Sequence, residues 1–299
     1  MDTVAILLNY NDADTTISAI KRLKNCESLD KIVVVDNASS DNSYERLKAY
    51  ESEKVALIKA KENLGYGCGN NLGLCYAYKD LAASHALIAN PDTFIEDRVI
   101  SKLRTSFDKI KDLAAAAPVM KLKAKKALSF RDSLLNLTLG FPCRSFLKEL
   151  MECCPIIRRL FVNRLHYNKK HYKKNIAFVD ALAGSLLMVD IEKMLEVGGY
   201  DEGVFLYQEE AILGFKLKQR GYKTIILTKY SYLHAHSQSI NKSFDKTLAR
   251  QRLREKSVLY YFRHYLKVGD LKIAFAKLVF FIIRLEISLF DILSKVCKV

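Results

Sequence analysis

Short apolar runs alternate with amphipathic stretches through the first 120 residues. Val4–Leu8, Lys31–Val35, Val55–Lys59, Ala86–Ala89 and Ala114–Val119 are each bounded by polar turns, a pattern that predicts five buried strands. Thr15–Leu23, Ser40–Tyr50, a segment ending at Asp80 and Asp97–Lys111 lie between or beside them with helical character. The Gly- and Asn-rich stretch Glu62–Asn71 reads as a loop leading into the third helix. Continuous apolar strands separated by helices predict an α/β fold, a mostly parallel sheet flanked by helices. The alternation breaks over residues 121–174. It resumes over 175–239, with a strand at Ser185–Val189, a helix from Tyr207 stopped by Gly221 and a strand at Thr224–Leu227. Helical character returns from Leu248. The pattern therefore predicts an α/β domain over 1–239, built from a half at 1–120, an insert at 121–174 and a second half at 175–239, with a helical tail at 240–299.

The tail is mostly apolar from Leu271 to Leu293, yet Lys272, Lys277, Arg284, Glu286 and Asp291 interrupt it. A spanning helix needs about 20 apolar residues with few charges, so the pattern argues against insertion across a membrane. Asp270, Lys277, Arg284, Asp291 and Lys298 recur every seven residues and form one polar stripe on a helix. The wide apolar remainder of this amphipathic extension must meet a membrane interface, a partner such as a second copy, or the protein's own body.

Composition adds two constraints. Half of the 299 residues are apolar and 27% are charged, which is globular and large enough to need no disulfide staples. The seven cysteines include no C-x-x-C pair, and the short N-terminal apolar run is unlike a signal peptide. Both point to a reducing, cytoplasmic setting. The net charge of +15 is concentrated: residues 121–174 carry 14 Lys/Arg against 3 Asp/Glu, and residues 240–299 carry 13 against 5. An anionic surface, membrane or nucleic acid, is the partner such a distribution suggests.

Ligands of open α/β sheets bind beyond the carboxyl ends of the strands. Asp36 follows the second predicted strand, the glycine-rich stretch the third, and Asn90 and Asp92 the fourth. Carboxylates and flexible backbone on one rim suit a polar, phosphorylated ligand. Asp36, in a segment ending at Asp41, can accept from a ribose or a base N–H, or it can simply form an Asx turn. Asn63–Gly73 fits neither G-x-G-x-x-G nor a P-loop, which argues against a dehydrogenase or a P-loop ATPase. Asp92 is a hard oxygen ligand suited to Mg2+ or Mn2+ on a diphosphate, or part of an ordinary Asn-Pro turn. Glu209 and Glu210 open a helix and point in different directions, so one can face a site while the other caps or pairs. His234 and His236 share one face of a strand and can ligate a metal, touch phosphate or be structural.

Taken in order, these segments resemble the inverting glycosyltransferases of family 2, rhamnosyltransferase-like branch, whose fold is of the GT-A type. The resemblance rests on Val4–Asn11, Val33–Asp41, Asn63–Gly73, Asn90–Asp92, Ala183–Met188, Gly198–Glu202 and Phe205–Glu210. It implies that residues 1–120 are a nucleotide-sugar half and 175–239 an acceptor and catalytic-base half. Asn9, Asp36 and Asp41 would contact the nucleoside, with Asn70, Asn90 and Gly184 completing the donor site. Asp92, with His234 near it, would hold the Mg2+ or Mn2+ that bridges the diphosphate. Glu210 stands where the family has its catalytic Asp, with Glu209 beside it. Two departures stand out: Asn90 replaces a common Asp of the metal motif, and the usual Glu-Asp pair is Glu-Glu.

The function implied is transfer of a sugar from a nucleotide-diphosphate donor to a hydroxyl of a lipid-linked or cell-surface polysaccharide. A dTDP-rhamnose donor is favoured, and a UDP-hexose is compatible. The basic insert and tail would meet the inner face of an anionic membrane, leaving the protein cytoplasmic and peripheral, with a homodimer through the tail as an alternative. A non-catalytic sugar-nucleotide-binding homologue is the runner-up. Nucleic-acid binding is disfavoured, because no RNP, KH, zinc-finger or helix-turn-helix signature is found.

Overall fold

The computed structural model describes residues 2–122, 139–235 and 247–296, with side chains described as far as residue 288. Strand β1 (Thr3–Asn9) pairs in parallel with β2 (Lys31–Asp36) and with β4 (His85–Ala89), and β2 pairs in parallel with β3 (Val55–Lys59). These are the parallel strands that the apolar runs predict. Past β4 the sheet turns mixed. β8 (Leu186–Asp190) runs antiparallel to both β4 and β6 (Leu113–Leu122), and β9 (Lys223–His234) lies parallel to β6. β7 (Ile176–Phe178) and the two-residue β5 (Thr93–Phe94) add to β9 in antiparallel fashion. A strand buried on both faces has the same apolar pattern whichever way it runs, so the direction of β8 is invisible in the sequence.

Alternate residues of the central strands feed two apolar layers. Ala5, Leu7, Ile32 and Val34 pack under α1 (Ala13–Leu23), α2 (Ser43–Lys48) and α4 (Asp97–Lys109). Val4, Ile6, Val33 and Val35 pack under α3 (Tyr66–Lys79), and the same layer reaches α8 (Ile191–Glu196) and α9 (Glu209–Gln219). The insert supplies three short helices, α5 (Phe146–Cys153), α6 (Pro155–Leu160) and α7 (Val162–Leu165). The tail supplies α10 (Thr247–His264) and α11 (Asp270–Val296). A third apolar cluster joins them: Leu150 and Cys153 of α5, Ile212 of α9, Val258, Tyr261 and Phe262 of α10, and Ile273, Phe280 and Ile283 of α11. Among the described residues, no helix is long and apolar enough to cross a membrane.

One expected loop is a helix. α3 begins at Tyr66, inside the stretch read as a loop through Asn71. Gly67, Gly69 and Gly73 are buried on it, and a Cβ at Gly73 would lie 2.7 Å from Ile6 Cγ2 and 3.1 Å from Val35 Cγ2. Gly69 and Gly73 therefore let the helix axis approach the sheet closely, while Gly67 packs against Tyr200.

Candidate functional site

The carboxyl ends of β1, β2 and β4 form one rim. Asn9 and Asp36 close β1 and β2 side by side, and both are buried. The Asp36 carboxylate accepts from Asn9 Nδ2 at 2.8 Å, from Ser39 Oγ at 2.7 Å and from the Ser39 amide at 3.0 Å. Asn9 Oδ1 accepts from Thr16 Oγ1 at 2.8 Å. This is a fully hydrogen-bonded turn that fixes the rim's backbone. Asp41 is exposed and accepts from the Ser43 amide at 2.9 Å, at the start of α2. Asn70 is buried within α3 and donates to the Tyr66 carbonyl at 2.9 Å, so its amide is turned into the helix.

The short β5 decides the next part of the site. Its register sets Thr93 opposite His234, the last residue of β9. Asp92 is thereby brought beside His234, with Oδ1 and Nε2 3.1 Å apart, and both side chains are mostly buried. The two residues are 142 positions apart in sequence. His236 lies outside the described residues. Arg22 of α1 holds the turn from below: its guanidinium donates to the carbonyls of Pro91 at 3.0 Å and Thr93 at 3.1 Å, and stacks 4.0 Å over the Phe94 ring. Burial lowers the Arg22 pKa, and the nearby Asp92 works against that.

Two hydrogen bonds to the adjacent residues Gly184 and Ser185 connect this turn to the carboxylate pair. The Asn90 amide donates to the Ser185 carbonyl at 2.8 Å, and the preceding Gly184 amide donates to Glu210 Oε1 at 3.1 Å. Tyr66 donates its hydroxyl to the Gly184 carbonyl at 2.6 Å, and Ser185 Oγ meets the Tyr232 hydroxyl at 2.6 Å. Burial pushes the Tyr232 hydroxyl up, with the charges of Asp92 and Glu210 adding to the shift. Tyr232 thus lies within electrostatic reach of both carboxylates.

Glu209 and Glu210 begin α9 after two consecutive left-handed residues, Tyr207 at φ +72° and Gln208 at φ +71°. Left-handed backbone at non-glycine residues is strained, and it needs neighbours to hold it. Gln208 is held by Glu149 of α5, whose Oε1 accepts from Gln208 Nε2 at 2.8 Å. Glu209 is 3% exposed, and its Oε1 has no hydrogen-bond partner among the described residues. Burial raises the carboxyl of Glu209, and the neighbouring Glu210 raises it further. Burial raises Glu210 as well, against the pull of the Gly184 amide.

The structure therefore gathers Asn90, Asp92, His234, Gly184, Glu209 and Glu210 into one region, beside the rim formed by Asn9 and Asp36. Arg22, Tyr66, Gln208 and Tyr232 belong to the same site and were not legible as such. Each acts through backbone carbonyls or side chains distant in sequence, for which no local spacing exists.

A nine-stranded mixed sheet with this order and a carboxylate-lined rim is the GT-A fold. Solved structures share it. GalNAc-T7 with UDP, GalNAc and Mn2+ matches with a TM-score of 0.60 at 15% identity, over 80% of this chain and 44% of that one. The mannosyltransferase PcManGT of Pyrobaculum calidifontis, in complex with GDP-Man and Mn2+, matches with a TM-score of 0.57 at 14% identity, over 90% and 65% of the two chains. Residues 4–172 match the family model for glycosyl transferase family 2, and the chain belongs to that family. It is also 30% identical over 104 residues to the low-salt glycan biosynthesis hexosyltransferase Agl10 of Haloferax volcanii. That match covers 35% of this chain and spans about a third, 32%, of the relative.

Proposed function

We propose that the protein is an inverting glycosyltransferase that moves a sugar from a nucleoside-diphosphate donor to a hydroxyl of a lipid-linked or cell-surface polysaccharide. The observation that carries this reading is the bridge Asn90–Ser185–Gly184–Glu210, which fixes the Asp92–His234 pair and a buried carboxylate dyad on one framework. Family membership and the sugar nucleotides in the two structural relatives support the donor class. The Asn9–Asp36 rim is the place for the nucleoside, with Asp41 at its edge. A dTDP-rhamnose donor rests on the resemblance of Asn63–Gly73, and the packing role of those glycines makes them a weak guide to the sugar; a UDP-hexose suits the same frame.

Asp92 and His234 would hold a divalent ion. One carboxylate oxygen and one imidazole nitrogen lie side by side, and among the described residues no third Asp, Glu, His or Cys joins them. The carboxylate suits Mg2+ or Mn2+, ions that commonly take their remaining ligands from phosphate and water, and the imidazole favours Mn2+, the softer of the two. Bound there, the ion would offset the negative charge of the departing diphosphate.

Glu210 is the general base. As the acceptor hydroxyl oxygen bonds to the anomeric carbon and the carbon–diphosphate bond breaks, the hydroxyl proton passes to Glu210. A raised carboxyl pKa makes it a better proton acceptor, and such a base contributes typically 10²–10⁴-fold. The charge of Glu210 in turn raises the neighbouring Glu209 by like-charge repulsion. A cytoplasmic protein on the inner membrane face would meet both a sugar nucleotide and a polyprenyl-linked acceptor.

The test mixes the protein and Mn2+ or Mg2+ with a panel of dTDP- and UDP-sugars and detects released nucleoside diphosphate. Metal-dependent release from one donor, lost in Glu210→Gln while calorimetry still shows donor binding, supports the reading. Donor binding with no release and no transfer to any glycan acceptor would favour the non-catalytic homologue.

A further inference from the structure

We infer that the outward face of α11 is a docking surface for an anionic lipid bilayer. The helix is apolar on two opposite faces. Ile273, Ala276, Phe280 and Ile283 point inward and are buried against α10 and α5. Leu271, Phe275, Leu278, Phe281, Ile282 and Leu285 lie on the other side, and each is about half exposed or more, from 49% at Ile282 and Leu285 to 90% at Leu271. At 1.5 Å rise per residue this stripe is about 21 Å long, with leucine and phenylalanine side chains facing outward along its length. Scattered exposed leucines need no explanation, but a continuous stripe of six on one helix face does.

Charge selects the occupant. Lys272 and Lys277 flank the stripe and are exposed, as is Lys267 at the α10–α11 turn, where Arg263 is paired with Asp270 at 3.0 Å. The acid of α10, Glu255, is buried in an ion pair with Arg284, which removes its charge from the surface. Next to this helix, α5 and α6 add Leu147, Ile156 and Leu160, exposed by 58–69%, among exposed Lys148 and Arg159. α5 packs into the same cluster as Phe280 and Ile283, so both exposed groups belong to one end of the molecule. Apolar side chains set among basic ones match the headgroup–acyl boundary of an anionic leaflet, where each well-placed Lys or Arg adds about 1 kcal/mol. A second copy is the poorer fit, because a chain of net charge +15 would bring two basic tails together.

The surface stands apart from the transfer reaction, so either can fail alone. The test is co-sedimentation of the full chain with phosphatidylcholine vesicles containing roughly one-third phosphatidylglycerol, beside pure phosphatidylcholine. Binding to the anionic vesicles should exceed binding to the neutral ones at least tenfold and fall with salt. The triple variant Leu278→Ser, Phe281→Ser, Leu285→Ser should reduce binding at least tenfold, with an unchanged thermal melt, an unchanged monomer by sedimentation equilibrium and unchanged donor hydrolysis. Absence of binding to anionic vesicles, or equal binding by the triple variant, overturns the proposal. So does a dimer of the unmodified chain that dissociates in the variant, which would assign the face to a second copy.

Discussion

The Gly184 amide donates to Glu210 Oε1 at 3.1 Å, and a Cβ at position 184 would lie 2.7 Å from that same oxygen. Any side chain there must displace the carboxylate. The displaced atoms are the far end of a flexible side chain, so the fold should absorb the change. Gly184→Ala is expected to melt within a few degrees of wild type while lowering kcat for transfer by about 10²-fold, the usual penalty for a misplaced catalytic group. Donor KM should move little. A kcat within twofold of wild type would show that Glu210 is not held in its working position by Gly184.

Glu209 should make stability depend on pH. Its carboxyl is raised by burial and by Glu210, so the folded state binds the proton more tightly than the unfolded chain does. The resulting stabilisation is complete below the unfolded value of about 4.3 and disappears as pH rises through the raised one. Glu209→Gln carries no charge at any pH. Thermal melts from acidic to mildly alkaline pH should show the variant gaining on wild type as pH rises, by about 1.4 kcal/mol for each unit of raised pKa. Parallel curves would mean that Glu209 ionises freely in the fold.

Much of the first half of the fold is legible in the sequence, because each parallel strand is a continuous apolar run and α1 and α4 show their apolar stripes. What escapes is whatever depends on partners distant in the chain. The direction of β8 and the β5–β9 register that joins Asp92 to His234 leave no local mark. The glycines of α3 mislead for a related reason: close helix–sheet packing and a ligand-binding loop both require small residues. Gly73→Ala separates the two. A Cβ there meets Ile6 and Val35 in the sheet core, and overpacking of this kind costs about 1–3 kcal/mol. Chemical denaturation should show that loss, and donor affinity measured by calorimetry on the folded protein should stay within twofold.

Arg22 places the Asp92 turn through its backbone, donating to the carbonyls of Pro91 and Thr93. Arg22→Met keeps the apolar stem over Phe94 and removes the guanidinium. Supporting residues of this kind typically change metal affinity 10–100-fold. A Mn2+ titration of donor hydrolysis should therefore shift to higher metal by roughly tenfold in Arg22→Met. In Asp92→Ala and His234→Ala the metal response should be lost or shifted further. An unchanged titration in Asp92→Ala would remove the metal from this turn altogether.

Arg144 is 5% exposed and serves two buried carboxylates, with Nη1 3.2 Å from Glu149 Oε2 and Nη2 3.7 Å from Glu152 Oε2, while Nε donates to the Leu165 carbonyl at 3.0 Å. Burial works to raise the Glu152 carboxyl, yet His166, Arg144 and Arg158 together hold it below the usual range. Stability from Glu152 is therefore present above the unfolded value of about 4.3 and fades as pH falls through the depressed one. Arg144→Met removes the shared cation, takes from buried Glu149 its ion-pair partner and leaves Glu152 with His166 and Arg158 alone, a change that costs about 3–5 kcal/mol. Because Glu149 also holds Gln208 beside the Glu209–Glu210 pair, the same variant should lower kcat more than its remaining folded fraction accounts for. The triple variant Arg144→Met, Glu149→Gln, Glu152→Gln removes the stranded charges with the cation, and denaturation should show it recovering at least half of the loss. If it is no more stable than Arg144→Met alone, packing around Arg144, and not charge compensation, holds the insert against the start of α9.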